Sequence, residues 1–212
     1  MALRDFHSSD TKARVTAQVK AIEARTCAEV VVVVRTRSDP HRDVAWICGT
    51  LLALGTLVAL RVLPDALSDW AFFVDVALGF AVGAFAGSRS AWLQRLVTSP
   101  RRRREVVARA AAAAFLAQGI HRTRRRCGLL VYASLHEREV AVLLDAGLDS
   151  AVGALQGATA TLSASLRGGL SVSTFVAALA ALAAPLSAAR PEVAGQENEL
   201  PDAPVDDAGA GA

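Results

Sequence analysis

Lysine is almost missing from this chain: Lys12 and Lys20 are the only two among 23 basic residues, so arginine carries the positive charge. Such a bias follows genome composition as readily as function, and part of the basic count is therefore uninformative. Aromatic residues make up only 5% of the sequence, while 53% is hydrophobic. The surplus is Ala, Val and Leu, and the mean hydropathy of +0.35 is high for a soluble protein. Three widely spaced cysteines, Cys27, Cys48 and Cys127, make neither a disulfide framework nor a zinc site, which favours a reducing compartment. Cys127 sits beside arginines that would lower a thiol pKa, yet no nearby sequence feature supplies a base or a resolving thiol. The four histidines are scattered, and "HEREV" at 136–140 lacks the second histidine of a zinc hydrolase helix. There is no Gly-rich phosphate loop; "RGGLS" at 167–171 reads as a helix stop. The opening "MALRDFHSSD" has no apolar core and does not read as a signal peptide.

What is present is two long apolar runs. "VAWICGTLLALGTLVAL" at 44–60 has no charge, and with Val62 and Leu63 it approaches the roughly 20 residues that span a bilayer. "WAFFVDVALGFAVGAFAG" at 70–87 is broken only by Asp75, which fits an interfacial position near the outer end. Between them "RVLPDALSD" suits an exposed turn. Trp46, Trp70 and Trp92 fall near the ends, where indoles favour the membrane interface. Gly79, Gly83 and Gly87 recur every four residues, which allows two helices to pack closely. The expectation is a transmembrane hairpin over 44–96, with helices at about 44–63 and 70–88. Arg35, Arg37 and Arg42 precede it, and Arg89, Arg95 and Arg101 to Arg104 come after it. The positive-inside rule then puts both termini in the cytoplasm of a bacterial inner (plasma) membrane protein.

The flanks read as one small α/β domain in two parts, 8–43 and 101–188. "SDTKARVTAQVKAIEAR" is an amphipathic helix with Val15, Val19 and Ile22 on one face and Ser8 or Ser9 as its cap. "EVVVVVR" at 29–35 is a fully buried strand. A helix at 105–118 is closed by Gly119, and "GLLVYAS" and "EVAVLLD" form a hairpin expected to lie centrally in a covered mixed sheet. Asp149 is the expected cap of a helix ending at Arg167, and a last helix from Ser173 carries Phe175, Leu179, Leu182 and Leu186 on one stripe. Residues 189–212 are acidic and uniform, and are expected to be disordered.

This order of elements, with "EARTCAEVVVVV", Gly128 opening the second strand and "DAGLD" after the third, resembles the TPM domain family. That family includes predicted phosphatases, whose proposed acid and metal site relies on carboxylates before the second strand. Typical members read "DNG" there and "GYGLE" after the third strand. Matched onto this chain, the Asp and Asn fall on Arg126 and Cys127 while Gly128 is kept. In the second motif the first Gly becomes Asp145, Gly147 and Leu148 are kept, and the Glu becomes Asp149. Metal-assisted hydrolysis needs clustered oxygen ligands, and Arg126 puts fixed positive charge where the cation would sit.

The resemblance thus implies a vestigial acidic site at Asp145 and Asp149, with no catalytic residues, metal or cofactor. Arg101, Arg102, Arg103 and Arg104, and Arg124, Arg125 and Arg126, would contact phosphate or lipid headgroups. The lipid bilayer and another membrane protein are the expected partners. Nucleic acid is not, because stacking aromatics are absent near the arginines apart from Tyr132. The expected role is binding or scaffolding at the membrane. The competing reading is a membrane-anchored metal-dependent phosphatase, with Asp145 and Asp149 as its acids and Arg124 and Arg126 as phosphate clamps.

Overall fold

The computed structural model describes residues 5–38, 42–62, 69–191 and 198–206. The chain divides into two compact units: Met1–Ser38 with Arg103–Ala212, and Asp39–Arg102. The first unit is therefore assembled from two stretches that flank the second.

The first unit is mixed α/β. Among the described residues its sheet has three strands, β1 (Glu29–Arg35), β2 (Gly128–Ser134) and β3 (Glu139–Leu144), in that spatial order. β1 runs parallel to β2 in the register Glu29↔Gly128, and β3 returns antiparallel, Leu129↔Leu144. All seven positions of β2 are buried, because both faces of the sheet are covered. On one face Val30, Val32, Leu129 and Val131 meet α1 (Ser9–Glu23) through Val15, Val19 and Ile22. The later helices, α6 (Val152–Arg167), α7 (Val172–Ala180) and α8 (Ala183–Ala189), join that same core. On the other face Val31, Val33, Leu130 and Tyr132 meet Val107 and Ala111 of α5 (Pro100–Ala117). The unbroken valine run of β1 is what a strand buried on both sides requires.

Several boundaries differ from the sequence reading. α5 begins at Pro100, where Ser99 Oγ accepts from Arg102 N at 3.3 Å and a proline fits the first turn without losing a bond. The capping residue after β3 is Asp145, not Asp149: its Oδ1 accepts from Ala146 N at 2.8 Å, opening a 3-10 turn at Ala146–Ala151 ahead of α6. The last helix is split at Ala181 and Leu182 into α7 and α8, because Pro185 has no N–H to bond the carbonyl four residues back. The stripe Phe175, Leu179, Leu182 and Leu186 is nevertheless fully buried.

The acidic tail does not lie loose over 198–206. Val34 N donates to Val205 O at 2.8 Å and Val205 N to Val32 O at 2.9 Å, which lays this strap along the free edge of β1. Asp206 pairs with Lys12 at 2.7 Å and Asp202 with Lys20 at 3.6 Å. Sequence composition alone hid this because the strap is held by edge backbone bonds and ion pairs rather than by apolar burial.

The second unit is a helical hairpin, α2 (Arg42–Val62) and α3 (Asp69–Arg89), with a short α4 (Ala91–Val97) after it that is absent from the sequence reading. The glycine stripe lies against α2: a Cβ at Gly83 would stand 2.5 Å from Cys48 O, and one at Gly79 2.5 Å from Thr56 Oγ1. Gln94, on α4, donates to Gly87 O and Ser88 O at 3.1 and 2.8 Å, satisfying carbonyls at the end of α3. The expected turn at 63–68 lies outside the described residues. Among the described residues, three stretches could cross a bilayer by length and composition: Asp43–Val62, Ala71–Arg89 and Val172–Ala189. The third is an addition to the two expected, and its large side chains are spent in the core of the first unit.

Candidate functional site

Of the residues singled out by sequence, Arg124 to Arg126, Asp145 and Asp149 lie at one end of the sheet, where β1 and β2 begin and β3 ends. Arg126 closes a turn by donating its N–H to Thr123 O at 3.0 Å, and its backbone takes the left-handed region, φ 55°. Its carbonyl accepts from Gly147 N at 2.8 Å, while Asp145 N donates to Gly128 O at 2.9 Å. Gly128 and Gly147 are steric necessities here. A Cβ at Gly147 would stand 2.4 Å from Arg126 O, and one at Gly128 2.4 Å from Ile120 Cγ2.

This backbone frame brings Arg126 onto Asp145. The guanidinium Nε lies 3.1 Å from Oδ1 and 3.0 Å from Oδ2, and only Oδ1 lies in hydrogen-bonding geometry. Asp145 is 4% exposed; its Oδ1 accepts from both Arg126 Nε and Ala146 N, while its buried Oδ2 takes no hydrogen bond among the described residues and lies against the guanidinium charge. Asp149 sits exposed on the 3-10 turn. Among the described residues no three His, Cys, Asp or Glu side chains are arranged to hold a metal ion.

The two arginine clusters do not converge. Arg124 and Arg125 are exposed beside Arg126. Arg104 lies 3.9 Å from Glu139, at the opposite end of β3 from Asp145, and that strand of six residues is about 20 Å long. Arg102 is 3.0 Å from Asp43 within the hairpin unit.

Three clusters escaped sequence reasoning. Cys27 and Cys127, a hundred residues apart, face each other across the β1–β2 entry with their sulfurs 3.6 Å apart, both buried. Burial and the Cys27 neighbour push the Cys127 thiol up to about 11, against the lowering expected from the arginines, whose pull is smaller than the cost of burying a thiolate. A set of four carboxylates, Glu23, Glu29, Glu199 and Asp202, also meets where the strap reaches β1. Glu29 Oε1 accepts from Glu199 N at 3.1 Å. Burial pushes Glu23 up to about 7, with Asp202 and Glu29 adding repulsion, although its Oε1 accepts from Val30 N at 2.8 Å. Burial and Glu199 also raise Glu29. At the far end of the sheet Glu137 is buried and takes a short hydrogen bond from Ser134 Oγ, whose hydroxyl is 2.8 Å from Ser38 Oγ. Long stretches of chain separate most of these partners, and only the β1–β2 register brings them together.

No protein family profile and no curated protein sequence matches the chain. Among solved structures it is similar to the NMR structure of the BA42 protein from the psychrophilic bacteria Bizionia argentinensis sp. nov.. The TM-score is 0.57 at 10% sequence identity, covering 94% of each chain. At that identity the likeness bears on the fold alone.

Proposed function

We propose that this chain is an integral membrane protein whose hairpin crosses a bacterial inner membrane and whose α/β unit is a cytoplasmic, TPM-like binding or scaffolding module. The observation that carries the membrane reading is the outer surface of the hairpin. Leu51, Leu54, Val58, Phe73, Leu78 and Phe85 are all more than half exposed, a band of apolar side chains that water would penalise and lipid would not. Arginines on both sides of the hairpin support an orientation with both termini inside, and Arg101 to Arg104 stand where anionic headgroups would meet them.

Asp145 favours a binding role over hydrolysis. A hard cation requires clustered carboxylate oxygens, and the fixed positive charge of Arg126 stands 3.1 Å from Oδ1 and 3.0 Å from Oδ2 of Asp145, where it would repel one.

Two measurements test the parts separately. Extraction of membranes at alkaline pH should leave the chain in the pellet; recovery in the soluble fraction without detergent overturns the membrane reading. Detergent-purified protein should release no phosphate from an aryl phosphate with calcium or magnesium. Metal-dependent turnover that disappears in Asp145→Asn would establish the phosphatase instead.

A further inference from the structure

β3 is an edge strand, not the central one its apolar sequence suggested. β2 occupies one side, and among the described residues no strand pairs with the other. The bond from Asp145 N to Gly128 O sets the phase of the ladder. Glu139, Ala141 and Leu143 turn their backbone groups to β2, so Val140, Val142 and Leu144 turn theirs outward. Ser163 Oγ donates to Val140 O at 3.4 Å, leaving Val142 and Leu144 as the outward pairs.

Natural edges are blunted by lysine, proline, a bulge or a covering segment. Val140–Leu144 carries no charge and no proline, and Ala141 to Leu144 are only half-buried. The strand instead forms the floor of a groove of about 600 Å³, walled by Arg104 and Ala108 of α5 and by Thr159, Ala160 and Arg167 of α6. The small side chains Ala108 and Ala160 leave room on both faces for alternating apolar residues.

The chain shows what an occupant of such an edge looks like. At β1 its own strap adds Val205 to the edge and fixes acids to basic neighbours, Asp206 to Lys12 and Asp202 to Lys20. At β3 the basic side of that arrangement outnumbers the acidic one among the described residues. Arg104 and Arg167 both approach the single carboxylate of Glu139, which leaves an excess of one positive charge at this end.

We propose that the β3 groove binds an extended, alternately apolar segment of a partner protein, added antiparallel as a fourth strand, with a carboxylate near its C-terminal end facing Arg104 and Arg167. Backbone bonds to Val142 and Leu144 would supply affinity, and the arginines direction.

The test uses the full chain in detergent and two labelled probes, the amidated peptides Thr-Val-Thr-Val-Thr-Val-Glu and Thr-Val-Thr-Val-Thr-Val-Lys, with binding read by fluorescence anisotropy. The Glu-ended peptide should bind on the order of tenfold more tightly than the Lys-ended one, the discrimination of about one reversed contact. Val142→Pro removes an N–H that points away from β2 and should abolish binding. Arg104→Glu, on an exposed helix position, should invert the preference between peptides without touching the sheet. The proposal is overturned if neither peptide binds, if Val142→Pro binds as wild type does, or if Arg104→Glu leaves the preference intact. Concentration-dependent dimers that Val142→Pro dissolves would overturn it too, making a second copy the occupant.

Discussion

Gly147 shows how little room the arginine turn allows. Because its Cβ would land 2.4 Å from Arg126 O and 2.8 Å from Arg125 O, Gly147→Ala must push apart the backbone that aims Arg126 at Asp145. Urea denaturation should report a loss of about 1–3 kcal/mol, the usual cost of overpacking. Glu23 is the residue whose titration matters most. Its folded pKa of about 7 lies above the ordinary 4.5, so folding binds a proton that the unfolded chain releases. The stability it favours is complete below about 4.5 and declines as pH rises through about 7. Glu23→Gln keeps the acceptor for Val30 N and should raise Tm at pH 8 while leaving it nearly unchanged at pH 4. For Cys127 the raised thiol pKa and burial predict slow alkylation by iodoacetamide at pH 8 in the native protein and fast alkylation in urea. At this scale Gly128 and Gly147 stood out in the sequence only through a family resemblance, and the crowding against Ile120 and Arg126 that requires them comes from the fold. The pairing of Cys27 with Cys127 was not, since only the parallel register of β1 on β2 creates it.

Among the elements, strands and helix faces were read well because burial imposes period: Val15, Val19 and Ile22 on α1, and the valines of β1, lie where the pattern put them. Edges and straps were read poorly. Whether β3 is central or peripheral depends on what else pairs with it, which its own residues do not encode. The strap at 198–206 likewise looks solvent-bound by composition, yet Val205 and Asp206 dock it. The Lys12 hydrogen bond holds the Asp206 carboxyl below the usual range, with His7 assisting. That contribution exists above the ordinary aspartate pKa and is lost as pH falls through the lowered one. Asp206→Asn should therefore destabilise by about 1 kcal/mol at neutral pH and speed hydrogen exchange at Val34 N, with the difference vanishing in acid.

At the scale of the whole molecule, two apolar runs announced the hairpin unit, and the glycine stripe announced how its helices meet. Gly83→Leu would drive a side chain into the Cys48 backbone and should split the helices, read as lost cross-linking between cysteines placed at Leu52 and Val82. The most consequential feature is the register Glu29↔Gly128. A ribosome that has released β1 must still make the whole hairpin and α5 before β2 exists. At synthesis rates of about 5–20 residues per second, a naked run of five valines waits on the order of ten seconds for its partner. Closing the α2–α3 hairpin meanwhile shortens the effective tether between the strands and lowers the entropic cost of their encounter. The inserted unit is thus a timing device: whatever slows its formation prolongs the interval in which β1 can find the wrong neighbour.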